Sequence, residues 1–245
     1  MTRLRSATLA LFAASVVFAV ALPVLLISGN VRSLVTSTIL YDYGWWRYDT
    51  SGRTGLPPDQ LDSIAEQFRD YFTGADEFLD LRADREGGRQ EELLSEREVL
   101  HMRDVKALVR RVFAAEWVAG VLAGIYVVAG FATLRGRFWP VLRRTLKYSA
   151  AGSLIAIAII GVAALINFDA AFTLFHLIGF SNDLWQLNPY RDYLLLLFPE
   201  GFFFDATMAI AIMTALEFGV AVAGIGWFER KYRPAASRPA KSASV

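Results

Sequence analysis

Four long apolar segments limit what this chain can fold into more than any other feature of its sequence. They cover residues 7–28, 117–134, 148–168 and 206–228, and together they contain a single charged side chain, Glu217. An α-helix rises about 1.5 Å per residue, so a segment of this length spans roughly the 30 Å hydrocarbon core of a bilayer. The chain is also 20% charged, so its charges must lie between these segments. The sequence predicts an all-α integral membrane protein with four transmembrane helices.

The first apolar segment has two interpretations. Arg3 and Arg5 precede it, as basic residues do in cleaved signal sequences. The apolar run is long for a signal sequence, however, and no small-residue cleavage site follows it cleanly before Pro23. We therefore predict a retained anchor, in which residues 1–28 form a short cytoplasmic N-terminus and the first span.

The distribution of lysine and arginine predicts how these helices are oriented. The N-terminus, the connection 135–147 and the tail 229–245 carry 12 basic residues and one acidic residue. Residues 29–113 instead carry 12 basic and 16 acidic residues, and residues 169–205 carry one basic and five acidic residues. Since basic residues accumulate on the cytoplasmic side, both termini are predicted to be cytoplasmic and both long segments extracytoplasmic. The tail is polar and contains proline, so we predict it to be disordered, with basic residues that anchor the last helix rather than bind nucleic acid.

Residues 29–113 are too numerous for a simple loop, so they are predicted to fold into a mainly helical extracytoplasmic domain. The segment PPDQLDSIAEQFRDYFTG has the apolar spacing of a short amphipathic helix, opened by Pro57 and Pro58 and ended by Gly74. A turn at Gly87 and Gly88 then separates it from another helix. Upstream, the stretch YDYGWWRY contains aromatic residues that are typical either of a headgroup boundary or of a small domain core: Tyr41, Tyr43, Trp45, Trp46 and Tyr48.

The other helix of this domain begins with the stretch SEREVLHMRDVK. Ser95 and Glu98 match a capping box, in which a serine caps the helix and a glutamate reaches back to the cap. The cap fixes the helical phase and places His101 on an apolar stripe, with Glu98 and Asp104 three residues away on either side. No proline follows until Pro140, so the helix can continue into the second transmembrane segment, residues 114–134.

Residues 169–205 are rich in phenylalanine, leucine and tryptophan but are interrupted by prolines and charged residues. Apolar stretches broken in this way are usually interfacial or re-entrant, which predicts that His176 lies near the outer membrane boundary. His101 and His176 are the two histidines of the chain, and both are predicted on the extracytoplasmic side. Histidine suits proton transfer near neutral pH, so we predict a shared site; the alternative is that each histidine is a structural core residue.

The two histidine-containing stretches, EVLHMRDVK and FHLIGFSNDLWQLNPYRDYLLLLFPEGFFFD, occur in this order between the first and last apolar segments. In motif and layout they resemble the lipoprotein intramolecular transacylase (Lit) family of small bacterial four-span membrane proteins. The resemblance implies that the catalytic histidines are His101 and His176. Five further residues of these stretches are supporting candidates: Glu98, Asp104, Asn182, Asp183 and Trp185.

The resemblance implies an acyl transfer at the outer face of the bacterial cytoplasmic membrane. The substrate is a diacylglyceryl-modified lipoprotein, whose sn-2 acyl chain moves to the α-amine of its own N-terminal cysteine to give a lyso-form lipoprotein. The lipoprotein and membrane lipids are the expected partners, and no cofactor, metal or obligate protein partner is implied. We expect His101, oriented by Asp104, to act as general base and His176 as oxyanion donor or general acid; the reverse assignment is the alternative.

Other functions fit parts of the sequence. A metal-dependent membrane hydrolase could use His101, His176 and nearby carboxylates as ligands, although no HExxH spacing occurs. A non-enzymatic membrane receptor or assembly factor would need the outer domain but not the histidines. Glu217 could indicate ion transport, although no second charge accompanies it within the apolar segments.

A shared histidine site makes one geometric demand. If the helix that begins at Ser95 stands upright, His101 lies about 18 Å above Phe113, at about 1.5 Å per residue. Either this helix must tilt or break, or residues 169–205 must rise to meet it. Two imidazoles far apart would exclude the site.

Overall fold

The computed structural model describes residues 2–85 and 89–231. The predicted turn at Gly87 and Gly88 lies outside the described residues, as do residues 232–245 of the predicted disordered tail. In chain order the helices are α1 (Thr2–Val35), α2 (Ile39–Arg47), α3 (Thr50–Thr54), α4 (Pro58–Thr73), α5 (Glu96–Leu134), α6 (Phe138–Ile166), α7 (Phe168–Gly179), α8 (Tyr193–Leu197) and α9 (Glu200–Lys231). Two short strands, β1 (Arg82–Arg85) and β2 (Arg89–Glu92), lie between α4 and α5.

Among the described residues, three helical stretches are long and apolar enough to cross a membrane: Ser6–Val35, Glu96–Ile166 and Glu200–Phe228. The second stretch has 71 residues and consists of α5 and α6, which are joined by a 3-10 turn at Arg135–Arg137. Arg135 has a φ of 52°, in the left-handed region that residues other than glycine rarely adopt.

The chain reverses direction at this turn. The Gly130 backbone lies against the Phe138 ring, and farther from the turn the Tyr126 hydroxyl is 3.3 Å from Thr145 Oγ1. Contacts that pair residues at growing separations on either side of a turn are those of an antiparallel helix pair. A side chain at Gly130 would clash with Phe138, so glycine permits the close approach of the two helices.

Helix α1 packs against α5, α6 and α9. Polar side chains reinforce these apolar contacts: Ser149 Oγ donates to the Ala19 carbonyl at 2.8 Å, and the Ser15 and Tyr126 hydroxyls are 2.9 Å apart. Glu217, the charged residue of the last apolar segment, faces α1, where it accepts a hydrogen bond of 3.0 Å from Asn30 Nδ2. Interhelical hydrogen bonds of this kind add specificity to packing in an apolar environment.

The segments before α5 and after α7 share one hydrophobic core. The predicted amphipathic helix is confirmed as α4, which buries Leu61, Ile64 and Phe68. Leu197 and Phe198, which belong to the segment 169–205, are part of the same buried cluster. The two segments therefore fold together into one domain, which is called the outer domain below because the sequence predicts both segments on the extracytoplasmic side.

The aromatic residues of YDYGWWRY occupy both buried and exposed positions. Tyr41 and Trp45 are each 5% exposed and belong to the core of the outer domain. Trp46 is 78% exposed and Tyr43 is 40% exposed. Helix α2 therefore has two apolar faces, one packed in the core and one exposed.

The β-hairpin is a feature that the sequence analysis did not predict, and it corrects the all-helical description of the chain. Its strands read RADR and RQEE and pair in antiparallel register, with Arg82 opposite Glu92 and Ala83 opposite Glu91. Such charged strands lack the apolar alternation by which strands are recognised. The buried residues that fasten the hairpin to the core are Leu81, Ala83 and Leu93.

Candidate active site

Helix α5 places His101 inside the outer domain. The predicted capping box is confirmed: Glu98 Oε2 accepts hydrogen bonds from the Ser95 backbone N–H at 2.8 Å and the Ser95 hydroxyl at 2.7 Å. The helix then runs unbroken from Glu96 to Leu134. The phase fixed by the cap turns His101 inward, where it is 8% exposed.

Helix α7 brings the second histidine to the level of the first. It begins directly after α6, where the Asn167 side chain accepts the Ala170 backbone N–H at 3.0 Å and caps the helix. At the other end of α7, Gly179 lies beside Leu108. The segment that follows α6 therefore rises to meet α5, and α5 does not break.

The two imidazole rings lie close together. The His101 and His176 ring centroids are 6.1 Å apart, at an interplanar angle of 33°. His176 is 7% exposed, so both rings are buried. This distance is short enough for both rings to reach one reacting group, as a shared proton-transfer site requires.

The hydrogen bond of His176 defines the chemistry of its two ring nitrogens. Nδ1 lies 2.7 Å from the Phe172 carbonyl oxygen, one helical turn earlier. A carbonyl accepts hydrogen bonds only, so we assign the hydrogen to Nδ1. The neutral ring then presents an unprotonated Nε2, which can accept a proton.

His101 has a different environment. Its Nδ1 is buried and has no hydrogen-bond partner among the described residues. The predicted orienting bond between His101 and Asp104 is not formed in this structure. The Asp104 carboxylate instead accepts hydrogen bonds from Asn182 Nδ2 at 2.8 Å and from Arg103 Nη2 at 3.5 Å. His101 is therefore free to direct a ring nitrogen toward a bound group.

Aromatic rings enclose the pair. Phe172 and Phe175 contact His176 edge-on, with centroid distances of 4.4 and 5.3 Å. Trp185 stacks on His176 at 4.9 Å and 28°, and Phe180 packs against His101 at 5.3 Å. Of these enclosing residues, sequence reasoning singled out Trp185 alone.

Burial favours the neutral form of both histidines, which lie outside the apolar segments predicted to cross the membrane. The pKa of His101 is lowered to about 4, chiefly by desolvation; charges on His176 and Arg97 act in the same direction, and Asp104 opposes the shift. Desolvation also lowers the pKa of His176, but its hydrogen bond to Phe172 acts in the opposite direction because it stabilises the protonated ring. Of the two rings, His176 is the better placed to accept a proton.

The supporting candidates have distinct positions. Glu98 is 2% exposed, and its Oε1 accepts the Leu194 backbone N–H at 2.8 Å, so its contacts are structural. Asn182, Asp183 and Trp185 lie on the loop after α7 that covers the histidines. Arg97, which the sequence analysis did not select, donates a hydrogen bond from Nη2 to the Asp183 carbonyl. Its position four residues before His101 on the same helix was the available signal.

The donor set for a metal is small. Among the described residues there is no group of three or more His, Cys, Asp or Glu side chains that could hold a metal ion. What the arrangement offers is a pair of proton donors and acceptors in an apolar enclosure.

The fold and site define a helical integral membrane protein with two buried histidines whose rings lie close together. A model of the family described as lipoprotein intramolecular transacylase Lit matches residues 16–203. That range covers most of the chain and includes both histidines, so the chain belongs to the Lit family, a family of acyl-transferring enzymes. The resemblance inferred from the two motifs is confirmed.

Solved structures of one Lit protein share this fold. The membrane-integral lipoprotein intramolecular transacylase Lit of Bacillus cereus superposes with a TM-score of 0.74 over 90% of this chain and 96% of its own, at 19% identity. A variant of that protein with a histidine replaced by alanine superposes at 0.75 over 94% and 99%, at 20% identity. At such identity the likeness concerns the fold.

An uncharacterised protein of Aquifex aeolicus is similar in sequence. It is 29% identical over 140 residues, which make up 56% of this chain. The match spans 58% of that relative's length.

Proposed function

We propose that this protein moves the sn-2 acyl chain of a diacylglyceryl-modified lipoprotein to the α-amine of the same molecule's N-terminal cysteine. The observation that carries the proposal is the pair of buried, facing imidazoles with centroids 6.1 Å apart. Membership of the Lit family supports the reaction class. The substrate supplies the cysteine, and this chain contains none.

The reaction needs a base and then an acid. The α-amine reacts in its uncharged form, after its ammonium form has lost a proton to solvent. The amine nitrogen then attacks the ester carbonyl carbon and gives up one further proton, which a neutral imidazole accepts. The tetrahedral oxyanion then collapses, the bond to the sn-2 glycerol oxygen breaks, and that oxygen takes up the same proton. An amide and a free hydroxyl result, and from the uncharged amine onward no proton is gained or lost.

We assign the base to His176 and the oxyanion donor to His101, which reverses the expectation from the sequence. The His176 Nδ1 hydrogen bond to Phe172 leaves Nε2 unprotonated and stabilises the ring once a proton arrives. His101, whose pKa is lowered to about 4, is a weak base, but its neutral N–H remains a hydrogen-bond donor. A donor aimed at the developing oxyanion in a dry site stabilises the transition state.

Much of the rate acceleration comes from position. Amine and ester belong to one substrate molecule, so the site must hold them in register rather than collect two reactants. The enclosure by Phe172, Phe180 and Trp185 limits access of water, which would otherwise hydrolyse the ester.

We further propose that α1, α5, α6 and α9 each cross the bacterial cytoplasmic membrane, with both termini in the cytoplasm. The reversal at Arg135–Arg137 supports two crossings within the 71-residue stretch, and the basic residues there favour the cytoplasmic side. On the outer side, the exposed face of α2 has apolar residues suited to the headgroup region: Ile39, Tyr43 and Trp46. The site would then lie at the extracytoplasmic surface, within reach of a membrane-anchored lipoprotein.

Mass spectrometry of lipoprotein N-termini tests this function directly. Cells that produce the protein should convert free-amine diacylglyceryl lipoproteins to N-acyl, monoacylglyceryl forms, and cells without it should not. His176→Asn and His101→Asn should each abolish the product while the protein still accumulates in the membrane. Ile178→Leu is the matched control, because Ile178 lies on α7 but is 79% exposed and away from the pair. If either histidine variant formed the product as fast as the unmodified protein does, the two-histidine mechanism would be refuted.

A further inference from the structure

Two side chains of α5 hold consecutive residues of the loop that covers the histidines. Asp104 accepts a hydrogen bond of 2.8 Å from Asn182 Nδ2, and Arg97 Nη2 donates to the Asp183 carbonyl. Arg97 and Asp104 lie four residues before and three residues after His101, so they flank it on the same helix face. Asn182 and Asp183 are themselves exposed, so these bonds rather than burial fix this part of the loop.

Asn182 transmits this anchoring to Trp185. Its side-chain oxygen accepts the Leu184 backbone N–H at 3.1 Å, and its backbone carbonyl accepts the Trp185 indole N–H at 3.0 Å. All these bonds are compatible with one orientation of the Asn182 amide, in which nitrogen faces Asp104 and oxygen faces Leu184. The position of the indole ring therefore depends on the contact between Asn182 and Asp104.

Trp185 in turn covers His176. The two rings stack with centroids 4.9 Å apart, and His176 is buried although the loop above it is exposed. A second contact, within α7, also fixes the His176 ring: its Nδ1 is hydrogen-bonded to the Phe172 carbonyl. The indole thus determines both the free volume beside the imidazole and its contact with water.

We propose that Asp104 is a positioning residue that acts on His176 through Asn182 and Trp185. This inference rests on the proposed acyl transfer. It differs from the role of orienting His101, because Asp104 accepts its hydrogen bonds from Asn182 on the loop and from the neighbouring Arg103, and His101 Nδ1 has no partner in the described part of the chain. Asp104, Asn182 and Trp185 form a latch that holds the covering loop against α5.

Exchange of Asp104 and Asn182 distinguishes two roles for Asp104: positioning of the loop and direct action on His101. Asp104→Ala and Asn182→Ala should each lower kcat by about tenfold to a hundredfold, and the double alanine variant should be no worse than either single variant. The exchanged variant Asp104→Asn/Asn182→Asp retains one carboxylate and one amide across the gap and should recover most of kcat. A carboxylate that acted directly on His101 would not be replaced by one on the loop, so an exchanged variant as defective as Asp104→Ala would overturn the proposal.

Tryptophan fluorescence measures the latch without the reaction. The Trp185 signal is the difference between the protein and its Trp185→Phe variant in nanodiscs, and acrylamide quenching reports its exposure to water. Quenching of this difference signal should rise at least about twofold in Asp104→Ala and return to the original value in the exchanged variant. Unchanged quenching in Asp104→Ala would also overturn the proposal. If the unmodified protein forms no N-acyl product, the proposed function fails, while the quenching result still decides whether Asp104 holds Trp185.

Discussion

The chemical character of the site is set by which states of two histidines it stabilises. Burial under aromatic rings lowers the pKa of both His101 and His176, so the resting pair is uncharged at neutral pH. A charge on His176 further disfavours a charge on His101. The site therefore accepts one proton at most while an amine attacks, and that proton is readily passed on to the leaving oxygen. A short-lived imidazolium next to a neutral imidazole is what a base and an oxyanion donor require.

The pH dependence of kcat follows from these lowered pKa values. Because protonation of each ring is disfavoured, the neutral pair persists below the ordinary histidine pKa of about 6.5. The substrate α-amine, whose ordinary pKa is about 8, also loses its uncharged form as the pH falls, so kcat at each pH is divided by the fraction of uncharged amine. Because the histidine base must be neutral, this corrected kcat, measured at saturating lipoprotein, should stay constant from neutral pH down to about 6.5 and fall only at lower pH. The charged and titratable groups that act on His101 are His176 and Arg97, which favour this shift, and Asp104, which opposes it.

The measurement is a kcat profile between about pH 5 and pH 8, with circular dichroism at each pH to confirm that the helices remain folded. A corrected kcat that is half-lost at or above about pH 6.5 would contradict neutral histidines stabilised by burial.

At this scale the sequence predicted the position of His101 but not the state of either ring. Ser95 and Glu98 fix the helical phase locally, so the inward direction of His101 could be inferred from four consecutive residues. The partners of the ring nitrogens are set by tertiary contacts instead. Asp104 is close enough in sequence to orient His101, yet it bonds to Asn182, 78 residues later, and spacing within one helix carries no information about that contact.

Among the elements, α5 and α7 decide whether a site exists. Helix α5 continues without a break from Glu96 to Leu134, so it is α7 that must bring His176 close to His101. It does so because Asn167 starts a new helix immediately after α6, and this helix ends level with Leu108. The interrupted apolar composition of residues 169–205 predicted an irregular boundary segment but not its direction. Direction depends on how α7 packs against α6 and α9, which composition does not report.

The contact between α5 and α8 depends on one buried carboxylate. Glu98 is 2% exposed, and its oxygens accept the Ser95 N–H, the Ser95 hydroxyl and the Leu194 N–H. Glu98→Ala removes the cap and leaves the buried Leu194 N–H without an acceptor, so we expect a loss of about 2–4 kcal/mol in unfolding free energy. Chemical denaturation of the protein in detergent micelles, followed by tryptophan emission, measures this loss.

Glu96→Ala is the control for Glu98→Ala. Glu96 lies in the first turn of the same helix but is exposed, so its removal should cost less than about 1 kcal/mol. Equal losses of unfolding free energy in the two variants would show that Glu98 contributes only through its charge in the first turn and not through its contact with α8.

For the whole molecule, the central fact is that residues before α5 and after α7 bury one common core. The Phe68 and Phe198 rings lie 5.0 Å apart although 130 residues separate them in the chain. Taken one segment at a time, the sequence predicts an extracytoplasmic domain and a separate interfacial segment, because each has its own apolar pattern. Packing of Leu197 and Phe198 beneath α4 joins them, and this joining fixes the loop that carries Asn182 and Trp185 against α5. The active site is therefore a product of the tertiary fold rather than of either segment.

The proposed orientation of the molecule can be tested because the chain contains no cysteine. Tyr190→Cys places a thiol at a position that is 93% exposed on the outer domain, and Gly136→Cys places one in the exposed turn between α5 and α6, where a side chain meets no neighbour. If basic residues at the turn keep it in the cytoplasm, a membrane-impermeant maleimide should label Tyr190→Cys in intact spheroplasts and Gly136→Cys only after lysis. Labelling of Gly136→Cys in intact spheroplasts would invert the topology and place the histidines on the cytoplasmic side, away from the lipoproteins that the proposed reaction requires.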